Sequence, residues 1–333
     1  MSSVNDQSKR SSADLLVESD APTSKDDFSQ EIKSSIAETE QIIDNLGVDQ
    51  DPIKQKSWLR SRELIESFQP VPWFIWRLSN FVFSNPESNQ RITEGLVFGL
   101  RRLIFAAASD PVLGAGEKIN RVRKALQVLP GDVVAAVSVI HAISRRIQSH
   151  DHERIWRPIL DDALLRCRIG CALGELSPTF GRGRGMLSGF AGRAGLVVLI
   201  SSGTLEQARK SLELLATGTD TSKVGLEVYG CDPIQVSAML LSASGCGRDA
   251  AFGTVSYSLF DPKNPSEIEP QVAQEQFNWL AAFAIIENIR TNKPGDIPEV
   301  FWEALSFSPE KRETLLENSK LIVRRGHGWQ WLG

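Results

Sequence analysis

Apolar residues recur with a helical period along most of this chain. Between Thr204 and Ala243 the pattern is clearest: Leu205, Ala208, Leu212 and Leu215 form one stripe, and Ile234, Ala238 and Leu241 form another. Each stripe follows a residue suited to cap a helix. Thr204 stands three residues before Gln207, and Asp232 precedes Pro233 at the first helical position and Gln235 at the third. Each cap should contribute about 1 kcal/mol and fix where its helix begins. Immediately upstream, Leu196 to Ile200 is a short apolar run that fits a buried helix or a buried strand equally well.

The same periodicity organises the rest. Phe28, Ile32, Ile36, Ile43 and Leu46 mark a helix in an acidic segment, read here as one that folds back onto the main body rather than one reserved for a partner. Helices are predicted from Trp73 to Phe83, from Ile92 to Ala107, from Ile119 to Val128, and along Val133, Ala136, Val139, Ile140, Ile143 and Ile147. A long one follows from Ile155 to Leu176, with Trp156, Ile159, Ala163, Leu164 and Cys167 inward. Pro158 is expected in its first turn or at a kink, because inside a helix it costs about 3 kcal/mol. Two more helices are predicted from Val272 to Ile289 and from Pro309 to Val323. The end, RRGHGWQWLG, carries no helical period and reads as flexible.

Residues 1–52 form an acidic tail with one amphipathic helix, 53–258 the helical body, and 259–333 a helical extension. Met1 to Asp27 is rich in Ser, Asp and Lys and cannot bury enough surface to order itself, and Gly47 to Pro52 reads as a linker.

Composition narrows the functional classes. A chain of 333 residues with net charge -4 is that of a globular protein with a small acidic excess. The excess disfavours an extended nucleic-acid surface. No leader pattern is visible and no apolar run reaches the roughly 18 residues of a membrane span, so the expectation is a cytoplasmic protein without a membrane partner. The four cysteines, Cys167, Cys171, Cys231 and Cys246, include no CxxC pair; a zinc site is the alternative to small core residues, which is the reading preferred.

Three stretches carry candidate chemistry. Trp58, Phe68, Trp73, Phe74 and Trp76 interleave with Arg60, Arg62 and Arg77; they could stack bases, but an aromatic stripe at helical spacing is read as core. FGRGRGMLSGFAGR, residues 180–193, reads as a glycine-rich loop whose arginines could cradle an anion, although it lacks the features of a nucleotide-binding motif. His150-Asp151-His152 offers three ligand types in a row, in the polar setting of a turn between helices.

Taken in order, PVPWFIWRLSNFVFSNPES, FGLRRLIFAAAS, INRVRKALQVLPGDVVAAVSVIHAI, IWRPILDDALLRCRIGCAL, SGFAGRAGLVVL and YGCDPIQVSAMLL resemble an HDOD domain over about Pro70 to Tyr257. HDOD domains are the signalling relatives of the HD metal-dependent phosphohydrolases, and the resemblance implies an all-α, two-part helical domain. It departs from the hydrolases where metal would be held. Pro158 stands where an isolated histidine would be, Gly192-Arg193 where the His-Asp pair would be, Pro233 where another histidine would be, and Tyr257 near where paired histidines would close the array. Neither glycine nor proline offers a side-chain donor, and Arg193 brings a positive charge to a cation's place.

The expectation is therefore a non-catalytic signalling module with no metal or cofactor, binding a protein partner or a small anion. The alternative is a phosphohydrolase with a rearranged site at His150, Asp151 and His152. Candidate anion-binding or partner-binding residues are Arg182, Arg184, Arg193 and Arg248, whose guanidiniums suit phosphate or carboxylate. For Arg193 the competing reading is a structural ion pair with Asp161, Asp162 or Asp232.

Overall fold

A computed structural model describes residues 25–45, 52–84, 97–260, 264 and 273–329. Every regular element among them is helical, as the periodicity predicts. The order is α1 (Lys25–Asn45), α2 (Pro52–Phe68), α3 (Trp73–Ser84), α4 (Arg101–Ser109, entered through a 3-10 turn at Val97–Leu100), α5 (Val122–Val128), α6 (Gly131–Gln148), α7 (Glu153–Leu176) and α8 (Arg182–Ser202). Then come α9 (Leu205–Ala216), α10 (Thr221–Tyr229), α11 (Pro233–Ala243), α12 (Arg248–Leu259), α13 (Gln274–Arg290), α14 (Glu299–Ala304) and α15 (Pro309–Arg325).

The centre of the fold is α8, and it corrects the sequence reading. Residues 180–193 are not a loop: all but the first two form the first half of a 21-residue helix that runs on through Leu196 to Ile200. The glycines mislead because their role is close packing rather than turning. A Cβ at Gly170 on α7 would stand 2.6 Å from the Gly185 carbonyl carbon on α8, and one at Gly174 would stand 2.6 Å from the Arg182 Cα. From the other side, a Cβ at Gly189 would stand 2.9 Å from the Cys167 nitrogen. The two helices therefore lie backbone against backbone, an approach only glycine permits. Because of this run α8 is long and apolar enough to cross a membrane, contrary to the expectation that no segment is, but 83% of its most apolar window is buried within the protein.

Around α8 pack α6, α7, α11 and α13, with α12 between α11 and α13. A single hydrophobic cluster runs through them, from Ile32 of α1 to Trp329 beyond α15. On α1, Ile32 and Ile36 are buried and the helix lies on α11, where the Ser35 and Ser242 hydroxyls stand 2.9 Å apart. Residues expected in the tail are thus helical from Lys25 on; Met1–Ser24, the linker predicted from Gly47 except Pro52, which opens α2, and the start of the helix predicted from Ile92 lie outside the described residues. At the other end Trp329 is fully buried and Arg168 donates to the Gly326 carbonyl at 2.8 Å, so the segment up to Trp329 packs onto α7 rather than hanging free.

Both predicted caps form. Thr204 and Gln207 make a reciprocal capping box, and the Asp232 carboxylate accepts from the Ile234 N–H at 2.9 Å. Two details differ. Pro158 is the sixth residue of α7, beyond the first turn, which was the first of the two places expected for it, and it removes one helical hydrogen bond. Leu205 and Leu212 are 42% and 38% exposed, because α9 turns its Ala208 and Ser211 side inward. All four cysteines are free and buried.

Candidate functional site

The positions that the resemblance assigns to metal ligands meet a cluster of opposite charges. Helix α7 carries Asp162 and Arg166 one turn apart, so both project from one face. Helix α8 brings Gly192 and Arg193 to that face, and α13 brings Glu287 and Arg290. Asp162 is the hub: its carboxylate lies 2.9 Å from Arg166 Nε, 3.2 Å from Arg193 Nε and 2.6 Å from Arg290 Nε. Glu287 closes the second side, accepting from Arg166 Nη1 and lying 3.6 Å from Arg193 Nη2. Arg193 also donates to its neighbour's carbonyl, Gly192 O, at 2.8 Å. The Arg166 side chain is only 2% exposed.

Burial on this scale demands pairing, since an unpaired buried charge costs several kcal/mol. Burial alone would raise the Asp162 carboxyl; the guanidiniums of Arg166, Arg193 and Arg290 outweigh it and hold the group below its ordinary value. Tyr257, on α12, packs against Phe283 with ring centres 4.9 Å apart and planes tilted by 47°, and lies within electrostatic reach of Glu287, Arg166 and Arg193. Its phenol is pushed up to about 12, first by burial and then by the Glu287 charge. A Cβ at Gly192 would stand 3.3 Å from Arg166 Nη1. Pro233 packs against α8 one turn on, its carbonyl carbon 2.9 Å from where a Gly195 Cβ would be. Pro158 is exposed on α7, one turn before Asp162.

The four candidate arginines do not share one site. Arg193 belongs to the cluster, and of the carboxylates considered for it Asp162 is the partner. Arg182 and Arg184 line a cleft of about 680 Å³ with Asp132, Glu175 and Glu275. There Arg182 Nη2 donates to the Leu113 carbonyl at 2.8 Å, and Arg184 pairs with Glu275 at 3.2 Å. The start of α8 is already capped by a carboxylate, because Asp132 accepts from the Gly183 N–H at 2.7 Å. Arg248 is the exposed first residue of α12.

Sequence reading missed Arg166, Glu287 and Arg290. The Asp162–Arg166 spacing was a visible signal, but its link to α13 crosses more than a hundred residues and had none.

His150, Asp151 and His152 do not converge. His150 stacks on Phe68 at 5.9 Å, Asp151 offers its backbone carbonyl to Trp156 Nε1 at 2.8 Å, and His152 caps α7 in the left-handed region at φ 68°. Among the described residues no three His, Cys, Asp or Glu side chains are grouped as a metal would need.

No protein-family model matches the chain. No curated protein matches it significantly either. Solved structures do. One, named as a candidate signal transduction protein from Marinobacter aquaeolei VT8, superposes with a TM-score of 0.55 at 16% identity over 85% of this chain, which spans 66% of that protein's length. A candidate phosphohydrolase from Shewanella amazonensis SB2B gives 0.55 at 14% identity over 81% of this chain and 96% of its own. An HDOD domain protein of unknown function from Geobacter sulfurreducens gives 0.55 at 14% identity, over 81% and 93%. The chain has an HDOD-like, all-α fold.

Proposed function

We propose that this protein is a non-catalytic regulatory module of the HDOD type, acting in the cytoplasm by binding a protein partner or a small anion. One observation carries the reading: at the place the resemblance gives to a His-Asp pair, Arg193 sits in a buried cluster of three guanidiniums and two carboxylates. Taken as charged groups, the cluster holds one positive charge in excess. A divalent cation placed about 5 Å from that excess would be repelled by about 7 kcal/mol at an effective dielectric constant of about 20, before any ligand bond is counted. The arginines supply from within the chain the positive charge that a metal would bring, and they leave no oxygen or imidazole free to polarise a water. The names of the structural neighbours include both signal transduction and phosphohydrolase, and the charge balance favours the first.

The test is elemental analysis of the purified protein together with hydrolysis of bis(p-nitrophenyl) phosphate in added manganese or magnesium. The expected result is no stoichiometric metal and no turnover above buffer. Stoichiometric metal that disappears in His150→Ala and Asp151→Ala would establish the rearranged hydrolase instead. Thermal melting against a panel of nucleotides and acidic metabolites tests the small-anion branch. A ligand that raises the melting temperature of the parent but not of Arg193→Ala supports it. If none raises the parent while the substitution alone lowers it, Arg193 is structural and the partner is a protein.

A further inference from the structure

A regulator of this kind needs a surface on which a partner sits, and the structure offers one away from the arginine cluster. Between α1, the Pro70–Pro72 turn, the start of α3 and the last turns of α6 lies a cleft of about 740 Å³, a size that takes a few side chains of a bound segment. Its wall is formed by Pro72, Trp73 and Phe74. Trp73 is 49% exposed, the third most exposed of the large apolar side chains among the described residues, and its ring meets Phe74 edge-on at 6.4 Å. The PVPWF stretch, read from sequence as core aromatics, thus holds two residues facing solvent beside a concave apolar surface.

The rim is basic. Lys33 of α1 and Arg145 and Arg146 of α6 are exposed at its edge, and none of them pairs with a carboxylate among the described residues. Arg146 Nε instead donates to the Phe68 carbonyl at 2.9 Å, and Arg145 Nη1 to Gln148 at 3.4 Å. Among the described residues the one carboxylate on the rim, Glu66, is paired with Arg62 at 2.9 Å. On a chain whose net charge is -4, this is a local reversal of sign over an apolar floor.

We infer, resting on the regulatory reading above, that this cleft docks a partner protein through an acidic segment carrying apolar side chains. Its aliphatic or aromatic residues pack on Trp73 and Phe74, and its Asp or Glu residues meet Lys33, Arg145 and Arg146. Desolvated Trp and Arg are the side chains that most often dominate binding energy, and rim charges of one sign steer an oppositely charged partner. The concavity favours a peptide segment over a planar bilayer, which the same residue types could otherwise meet.

The experiment is selection of a displayed random-peptide library on the full-length protein, followed by affinity measurement with the selected peptides. The expected peptides combine Asp or Glu with Leu, Ile, Phe or Trp. Trp73→Ala and the double variant Lys33→Glu/Arg145→Glu should each weaken them about tenfold or more, with far-UV circular dichroism unchanged. Arg146 is left in place because it also holds the Phe68 carbonyl. Affinity of the parent should fall with added salt. Selected peptides whose binding is unmoved by both variants would refute this cleft while leaving a partner-binding regulator intact. No enriched peptides, together with co-sedimentation on vesicles of phosphatidylglycerol that both variants abolish, would reassign the surface to membranes. No binding to either probe also overturns the inference. Stoichiometric metal with hydrolysis would sink the regulatory reading itself.

Discussion

The sharpest prediction concerns Gly170→Ala, a substitution that helix propensity alone says should stabilise. Alanine inside a helix is favoured over glycine by about 1 kcal/mol. Against this, the new Cβ would stand 2.6 Å from the Gly185 carbonyl carbon and 3.2 Å from Ile286 Cδ1. Carbon atoms in contact rest about 3.5–4.0 Å apart, so α7 and α8 must part by about 1 Å, and a gap of that size forfeits a quarter to a half of the dispersion energy of the atoms lining it. Overpacking of this kind costs about 1–3 kcal/mol and sometimes more, and here a whole helix pair must move rather than one flexible side chain. Because the helix pair as a whole must move, the cost is placed above that range at about 3–4 kcal/mol, which less the propensity gain leaves a net loss of about 2–3 kcal/mol. With an unfolding entropy of about 2.1 cal/mol/K per residue, a chain of 333 residues should then melt about 3–4 °C lower. Differential scanning calorimetry reads this directly. The control is Gly99→Ala, where a Cβ meets nothing within 4 Å. Gly170→Ala combined with Gly185→Ala should cost less than the two singles added, because once the helices have parted the second methyl finds room. A Gly170→Ala protein that melts at or above the parent, or a strictly additive pair, would refute backbone contact between these helices.

Asp162 is held below its ordinary pKa by its arginines against the opposing effect of burial; the stability it contributes is therefore present above about pH 4 and lost as pH falls through its folded value. Asp162→Asn should lower stability at pH 7 and flatten the acid limb of a denaturant-midpoint profile below about pH 4; an unchanged acid limb would contradict the pairing. Only two tyrosines are present, so Tyr229→Phe isolates Tyr257. Its absorbance change near 295 nm should have a midpoint near about 12, with stability lost as pH rises from about 10 toward that value, and a midpoint at the ordinary value of about 10 would show that the phenol is not buried. Trp329→Ala should cost about 3–5 kcal/mol because the ring is fully buried; a change under 1 kcal/mol in chemical denaturation would mean that the C-terminal segment does not dock.

Most helices with one apolar face were legible, though α2, which buries Trp58, Ile65 and Phe68, and α12 were not read as helices. Stripes such as Val133 to Ile147 and Ile155 to Cys167 bury as read, and the caps at Thr204 and Asp232 sit where side-chain chemistry puts them. Legibility failed at α8, because a helix buried on nearly every side has no polar face to give a period, and its glycines serve contact rather than turning. It failed again at α10, whose Thr, Ser, Lys and Gly residues bury only Val224 and Gly225. At the site, the lack of metal-donor side chains at Gly192 and Arg193 was readable from residue types. What takes their place was not, because Asp162, Arg193 and Glu287 come together only through the packing of α7, α8 and α13, which no local pattern encodes.

The closeness of Gly192 to Arg166 bears on how such a fold could change its chemistry. Should an ancestor have held a His-Asp pair at positions 192 and 193, as the resemblance would have it, the route back is obstructed. A side chain at 192 begins 3.3 Å from a guanidinium that is itself fastened to Asp162 and Glu287. Any side chain there requires the Arg166 guanidinium to give way by a few tenths of an ångström, and removing Arg166 takes one partner each from Asp162 and Glu287, leaving Arg193 and Arg290 as their counter-charges. A change at 192 and a change at 166 are therefore coupled, because the space one needs is held by the other's charge pairs. The cluster thus ties the residue at 192 to the charges around it: what can stand there is set by Arg166, and Arg166 in turn by Asp162 and Glu287.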